Sequence, residues 1–125
     1  INMYVADDIT DAGGVCSFPG VGAHREVIAI NSKGLLGGSE GWLHEIGHYF
    51  NLIHTHEGDG VADTIPDPSL PDPFDCGTHD QSFLANAAQL GAGPRDTFNG
   101  LHNIMGYHCD PLVLTPLQIV RMRRA

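Results

Sequence analysis

The feature that most constrains this chain is the run HEIGHYFNLIH at positions 44–54. Apolar side chains around it recur at helical spacing, which predicts an amphipathic helix with Ser39 as its N-cap. Residues four apart lie on one face of a helix, so His44 and His48 can direct their imidazoles at one metal ion. Glu45 can reach a water held by that ion, as a metal-dependent hydrolase requires.

His54 is the predicted third ligand. A straight helix would point it away from the other two histidines, so the chain must turn sharply near Asn51. After Gly, Asn is among the residues that best tolerate the left-handed backbone of such a turn. The alternative is a buried helix whose histidines are hydrogen-bonded in the core, but a third histidine at this spacing favours a metal site.

The composition is that of a small acidic globular domain. The 125 residues include 6 Lys+Arg and 15 Asp+Glu, which gives a net charge of −9, and 42% of them are hydrophobic. This length builds one core, and the apolar share argues against disorder. The charge argues against nucleic acid or an anionic membrane as a partner, and no apolar run approaches the roughly 20 residues of a membrane span.

The pattern predicts short strands before the helix and loops after it. Strands are predicted at 2–7, 15–18 and 26–31, the last as a central strand because it is apolar on both faces. The chain is predicted to be irregular over 58–77 and helical over 80–90, where Gly91, Gly93 and Pro94 stop the helix. TPLQ at 115–118 is a capping box that begins a last helix.

The run at 44–54 resembles the HExxHxxGxxH signature of metzincin metallopeptidases, with Asn51 where the family usually has Gly. NIMGY at 103–107 is similar to their methionine turn. Two further segments narrow the resemblance to the pappalysin (ulilysin-like, cytophagalysin) family: VADTIP at 61–66 and the pattern from Met105 to Met122. The resemblance covers nearly all of the chain. It implies an α+β fold over residues 1–125: a metzincin-type catalytic domain, truncated at its N-terminal strand–helix–strand, with a small mixed sheet packed on the active-site helix and a loop-rich C-terminal subdomain.

The resemblance also implies a role for each matched residue. The three histidines would bind catalytic zinc, and Glu45 would be the general base that deprotonates the water held by the metal. Met105 would form an apolar floor under the imidazoles, although an ordinary core methionine differs little from this in structure. Tyr107 would stabilise the oxyanion of the tetrahedral intermediate.

The segment around the second strand resembles the exposed edge strand on the upper rim of the family's cleft. Such a strand holds an extended peptide by β-augmentation, which implies a polypeptide substrate; the alternative is a plain edge strand. Asp110 would lie near the pocket that selects the residue after the cut. The implied substrate-binding residues are therefore Gly14, Val15, Cys16, Ser17 and Asp110.

In related enzymes a cysteine of the loop after the helix is bonded to one just beyond the methionine turn, and Cys76 and Cys109 match these places. Such a disulfide implies an oxidising compartment and a secreted protein. Cys16 has no evident partner. It is either a free, partly exposed thiol or bonded to a missing segment.

Many acidic side chains lie between positions 57 and 75. They are either solvated loop acids or ligands of a structural calcium ion, which pappalysin relatives bind in this region; the ligands would then be Asp59, Asp63 and Thr64. The remaining histidines are predicted to be surface or hydrogen-bonding residues rather than ligands: His24, His56, His79, His102 and His108.

Together these patterns and the resemblance predict a secreted zinc-dependent endopeptidase, with calcium as a second cofactor if the loop acids are ligands rather than solvated. One alternative is a catalytically impaired, metal-bearing module or fragment that holds peptides without cutting them. Another is a deformylase-like amide hydrolase, against which the third histidine and the Met105–Tyr107 pair argue. Because a three-stranded sheet with one uncovered face is marginal alone, we also expect folding to need metal, an association partner or both. The partner would be a missing N-terminal segment or another chain.

Overall fold

A computed structural model of the protein describes residues 2–7, 9, 13–20, 27–32 and 41–125. The chain divides into two compact units, Ile1–Leu52 with Arg121–Ala125, and Ile53–Val120. In the described ranges, no helix has the length and apolarity needed to cross a membrane. The predicted cap Ser39 and the histidine His24 lie outside the described residues.

The first unit contains a three-stranded sheet in the order β1-β3-β2, with β1 at Asn2–Ala6, β2 at Gly14–Cys16 and β3 at Val27–Asn31. β3 pairs in parallel with β1 and antiparallel with β2. Its alternate residues Ile28 and Ile30 are 0% and 1% exposed. The sheet is therefore mixed, and the prediction that the third strand is central is confirmed.

The second strand lies slightly earlier than predicted, because Ser17 and Phe18 follow β2 rather than belong to it. The backbone pairing nevertheless continues for one residue, since the Ser17 N–H donates to the carbonyl of Val27 at 3.0 Å. The hydroxyl of Ser17 accepts from the N–H of Val27 at 2.9 Å. Ser17 therefore fastens the end of β2 to the central strand.

Helix α1 is described from Gly41 to Tyr49 and ends in a Schellman motif. The N–H of Asn51 donates to the carbonyl of His48, and the N–H of Leu52 donates to that of Gly47, each at 2.9 Å. Asn51 has a φ of 68°, the only positive φ among the described residues other than glycine. The sharp turn predicted at this asparagine is confirmed.

Beyond this turn come a 3₁₀ turn at Thr55–Glu57 and three helices: α2 at Cys76–Gln89, α3 at Pro94–Leu101 and α4 at Pro116–Met122. α2 begins four residues before the predicted position 80, because Asp75 caps it by accepting from the N–H of Thr78 at 2.7 Å. α3 was not predicted. The proline that was expected to stop the preceding helix occupies the first turn of α3, where its missing N–H costs nothing.

The disulfide between Cys76 and Cys109 is present, with a Cα–Cα distance of 5.1 Å. It joins the start of α2 to the segment that follows the methionine turn. The predicted capping box of α4 is also present. The N–H of Thr115 donates to the side-chain oxygen of Gln118 at 2.9 Å, and the N–H of Gln118 donates to the Thr115 hydroxyl at 3.3 Å.

Candidate active site

His44 and His48 lie one turn apart on α1, and each is 9% exposed. Their rings meet edge to face, with centroids 4.7 Å apart. Nδ1 of His48 lies 2.8 Å from the carbonyl oxygen of Leu52, which can only accept a hydrogen bond. The proton of His48 is therefore on Nδ1, and the lone pair is on Nε2, where a metal ion could be bound.

His54 stands in the second unit, immediately before the 3₁₀ turn. Its Nδ1 lies 2.8 Å from Oε2 of Glu57, and its Nε2 lies 3.2 Å from the hydroxyl of Tyr107. A carboxylate behind Nδ1 orients the imidazole and places its lone pair on Nε2, an arrangement common among metal-binding histidines. This role of Glu57 was not predicted, since the sequence shows it only as one acid of an acidic stretch.

The methionine turn, residues 103–107, is hydrogen-bonded to the residue that follows His54. Met105 is 0% exposed, and its carbonyl oxygen accepts the N–H of Thr55 at 3.2 Å. Its own N–H donates to the side-chain oxygen of Asn103 at 3.0 Å. Tyr107 lies two residues further on and is 38% exposed, with its ring 5.0 Å from that of His54.

A buried amide pair holds the methionine turn in place. Asn103 and Gln118 are both 0% exposed and exchange two side-chain hydrogen bonds, at 2.9 and 3.1 Å. Buried amides are costly unless paired, so each side chain fixes the other. Gln118 thus has two functions, as a cap of α4 and as a support of the turn, and only the first was predicted.

Glu45 lies on α1 against strand β2 and is 8% exposed. Burial raises the pKa of its carboxyl, and the opposing effects of His48 and of a hydrogen bond from Cys16 do not cancel this rise. A Cβ at Gly14 would lie 2.7 Å from Cγ of Glu45, so only glycine lets the carboxyl lie this close to the strand.

The thiol of Cys16 has a partner that the sequence did not reveal. It donates a hydrogen bond to Glu45, and burial together with that carboxylate raises its pKa to about 12. Cys16 is half-buried and is not part of a disulfide among the described residues. No disulfide partner of Cys16 was evident in the sequence, and the expectation of a free, partly exposed thiol is confirmed within the described residues.

The Cys16 thiol should be slow to alkylate in the folded, metal-free protein. A pKa of about 12 instead of the ordinary value of 9.0 lowers the thiolate fraction at pH 8 roughly a thousandfold, and only the thiolate attacks iodoacetamide. Mass spectrometry of timed reactions, with the urea-unfolded chain as control, measures the ratio. Rates within tenfold of each other would contradict the burial of this thiol beside Glu45.

The other predicted residues lie as follows. β2 is an edge strand of the described sheet and Val15 is 48% exposed, whereas Gly14 and Cys16 contact Glu45. Asp110 has a 69% exposed side chain beside His102. Their roles in binding substrate stay predictions.

The predicted calcium ligands differ in their contacts. The carboxylate of Asp63 accepts the Thr115 hydroxyl at 2.6 Å and the Leu117 N–H at 3.0 Å, which ties it to α4. Oδ1 of Asp59 accepts the hydroxyl of Thr64 at 2.9 Å. Calcium binding stays a prediction.

The comparisons with known proteins decide the family. The family model for M43 peptidases, described as pregnancy-associated plasma protein-A, matches residues 1–125. The chain belongs to the pappalysin family. An extracellular metalloprotease of Colletotrichum graminicola is 31% identical to this pappalysin over 140 residues, which cover 98% of the chain and 47% of the relative. The chain therefore spans about half the length of that relative. No solved structure gives a significant match.

Two of the remaining histidines of this pappalysin are buried, and of these His79 departs from the prediction of a surface or hydrogen-bonding residue. His79 and His108 are 0% and 6% exposed, so neither is a surface residue. His79 makes no hydrogen bond within the described residues, although its spacing with Phe83 and Ala87 places all three on the buried face of α2. This four-residue spacing is the sequence feature from which the burial of His79 could have been predicted. His102 donates to the carbonyl of Asp110 at 2.7 Å and His108 is hydrogen-bonded to Asp80 at 2.8 Å, so the prediction of hydrogen-bonding residues holds for both. His56 is half-buried and stacks on His54 at 4.9 Å.

Proposed function

We propose that this pappalysin is a secreted zinc-dependent endopeptidase that hydrolyses peptide bonds in polypeptides. The family and the extracellular metalloprotease relative support the class of activity. One structural observation carries the rest: His48 and His54 each have Nδ1 bonded to an oxygen acceptor, which leaves the lone pair on Nε2. Histidines prepared in this way fit a zinc ion better than they fit a hydrogen-bonded core.

His44, His48 and His54 would hold the zinc. All three donors are imidazole nitrogens, a set that zinc accepts readily and that calcium and magnesium do not. When bound, zinc polarises a carbonyl and lowers the pKa of water. His54 follows His48 by six residues, and the Schellman turn at Asn51 lets the chain leave the helix axis between them.

Glu45 would take a proton from the attacking water and pass it to the leaving amine. A base that works near neutral pH needs a carboxyl whose pKa lies above the ordinary value, and burial supplies this here. The thiol of Cys16 and the missing side chain of Gly14 hold the carboxyl between α1 and β2. The substrate would lie extended along β2, an edge strand of the described sheet, as β-augmentation requires.

Tyr107 would donate a hydrogen bond from its hydroxyl to the oxyanion that forms at the scissile carbonyl, which stabilises that charge. The hydroxyl lies 3.2 Å from Nε2 of His54, beside the proposed metal position, and the side chain is exposed enough to turn toward substrate. This distinguishes Tyr107 from a tyrosine that only packs against its neighbours.

Tyr107→Phe should lower kcat on the order of a hundredfold and change KM little, because the lost hydrogen bond matters mainly in the transition state. Initial rates on a quenched-fluorescence peptide measure both constants. Tyr4→Phe is the matched control, since Tyr4 lies on β1 and is 56% exposed. An unchanged kcat in Tyr107→Phe would remove the tyrosine from the chemistry.

Cleavage of an unfolded protein substrate tests the proposed function. We expect 1,10-phenanthroline to abolish cleavage and added zinc to restore it. Peptide binding with zinc present and no turnover would instead support the alternative of a metal-bearing module that holds peptides. Cleavage that survives removal of the metal would contradict both.

A further inference from the structure

A second cluster of metal-binding side chains lies wholly within Ile53–Val120. Asp67 comes from the loop, His79 from α2 and His108 from the segment after the methionine turn. One ligand atom from each lies within 4.8 Å of the others. The side chains of His79 and His108 are 0% exposed and that of Asp67 is 1% exposed. None of the three belongs to the proposed catalytic site.

The polar atoms of this cluster approach one another at ion-pair distances. Nε2 of His79 lies 3.2 Å from Oδ1 of Asp67, and Nε2 of His108 lies 3.2 Å from Oδ2. Even so, Oδ1 of Asp67, both nitrogens of His79 and Nε2 of His108 are buried without a hydrogen-bond partner in the described part of the chain. Buried polar groups are almost always paired, so four such atoms in one place point to an absent partner.

We propose that Asp67, His79 and His108 bind a second divalent ion of the zinc class, which stabilises the second unit. Ligand atoms at about 2.1 Å from a tetrahedral ion are about 3.4 Å apart, close to the two observed nitrogen–oxygen distances. Two imidazoles and one carboxylate suit zinc or a neighbouring transition metal, whereas calcium and magnesium prefer oxygen ligands.

The residues that contact this cluster orient its side chains as neighbouring residues do around a metal site. Nδ1 of His108 lies 2.8 Å from Oδ1 of Asp80, which places its lone pair on Nε2. The hydroxyl of Thr55 donates to Oδ2 of Asp67 at 2.7 Å and orients that carboxylate. A Cβ at Gly106 would lie 2.9 Å from Nε2 of His108, so glycine keeps this nitrogen accessible to an ion.

An ion pair without metal accounts for less of this arrangement. A protonated His108 between Asp67 and Asp80 would satisfy that histidine, and these carboxylates do raise its pKa against the opposing effect of burial. Within the described part of the chain, His79 would still have two unpaired nitrogens at 0% exposure. A metal ion bound at Nε2 of His79 would give one of these two nitrogens a partner. The alternative, in which His79 and His108 are both protonated, would place two positive charges in stacked rings whose centroids are only 4.8 Å apart.

Metal content per chain tests the proposal. The chain is loaded with zinc, desalted and analysed by plasma mass spectrometry, with circular dichroism to check folding. We expect two equivalents in the wild type, two in the control His102→Gln and one in His79→Gln/His108→Gln. The deciding variant is His44→Gln/His48→Gln, which leaves the second unit untouched and should retain one equivalent.

The outcomes separate this proposal from the proposed function. One equivalent in both the wild type and His44→Gln/His48→Gln would support the second site while contradicting the catalytic one. One equivalent in the wild type and none in His44→Gln/His48→Gln would overturn the second site, even if the His79/His108 variant failed to fold.

Discussion

Glu45→Gln is expected to lower kcat/KM for peptide cleavage by about a thousandfold, within the range for loss of a positioned general base. The amide has the shape of the carboxyl but cannot take a proton from water. Because Glu45 is buried and its pKa is already raised, the neutral amide should keep the fold and the zinc content. Initial rates and metal analysis of the same sample measure both.

The control for this variant is Asp96→Asn, an equal change of charge at an exposed position of α3. It should leave the rate unchanged. A Glu45→Gln variant that retains zinc and cleaves within fivefold of the wild type would exclude Glu45 as the base. A variant that loses zinc would show that the carboxyl supports metal binding rather than proton transfer.

Removal of the disulfide is expected to lower the free energy of unfolding by about 4 kcal/mol, the loop-closure entropy of a cross-link of this span. The two cysteines are 33 residues apart, and the loop between them carries much of the second unit. Cys76→Ser/Cys109→Ser, unfolded by urea with no reductant present, gives the value.

Cys16→Ser is the matched control, because it removes a thiol that forms no disulfide among the described residues. It should unfold within about 1 kcal/mol of the wild type, as expected for a half-buried thiol replaced by a hydroxyl. Equal stability of the double variant and the wild type would mean that the cross-link does not constrain the unfolded chain.

Local patterns predicted much of the fold. The turn at Asn51 follows from one residue type and one spacing, and the cap of α4 follows from four consecutive residues, so both were found correctly. The order of the strands followed from the apolar faces of β3. α3 was missed because a proline marks a helix start as readily as a stop, and the sequence does not say which.

Contacts between distant positions could not be predicted in the same way. Asp67, His79 and His108 are brought together by a loop, a helix and a turn whose packing no local pattern encodes. The hydrogen bond between the Cys16 thiol and the Glu45 carboxylate likewise depends on how β2 lies against α1. The resemblance to pappalysins named the catalytic set, whereas the residues that orient it, such as Glu57 and Asn103, were visible only in three dimensions.

The central claim is that His44, His48 and His54 bind one catalytic zinc ion, and anomalous diffraction tests it most directly. Crystals of the zinc-loaded chain, measured above and below the zinc absorption edge, should show a peak within about 2.1 Å of a ring nitrogen of each of these histidines. A zinc-loaded crystal with no anomalous peak between the three imidazoles would contradict the account.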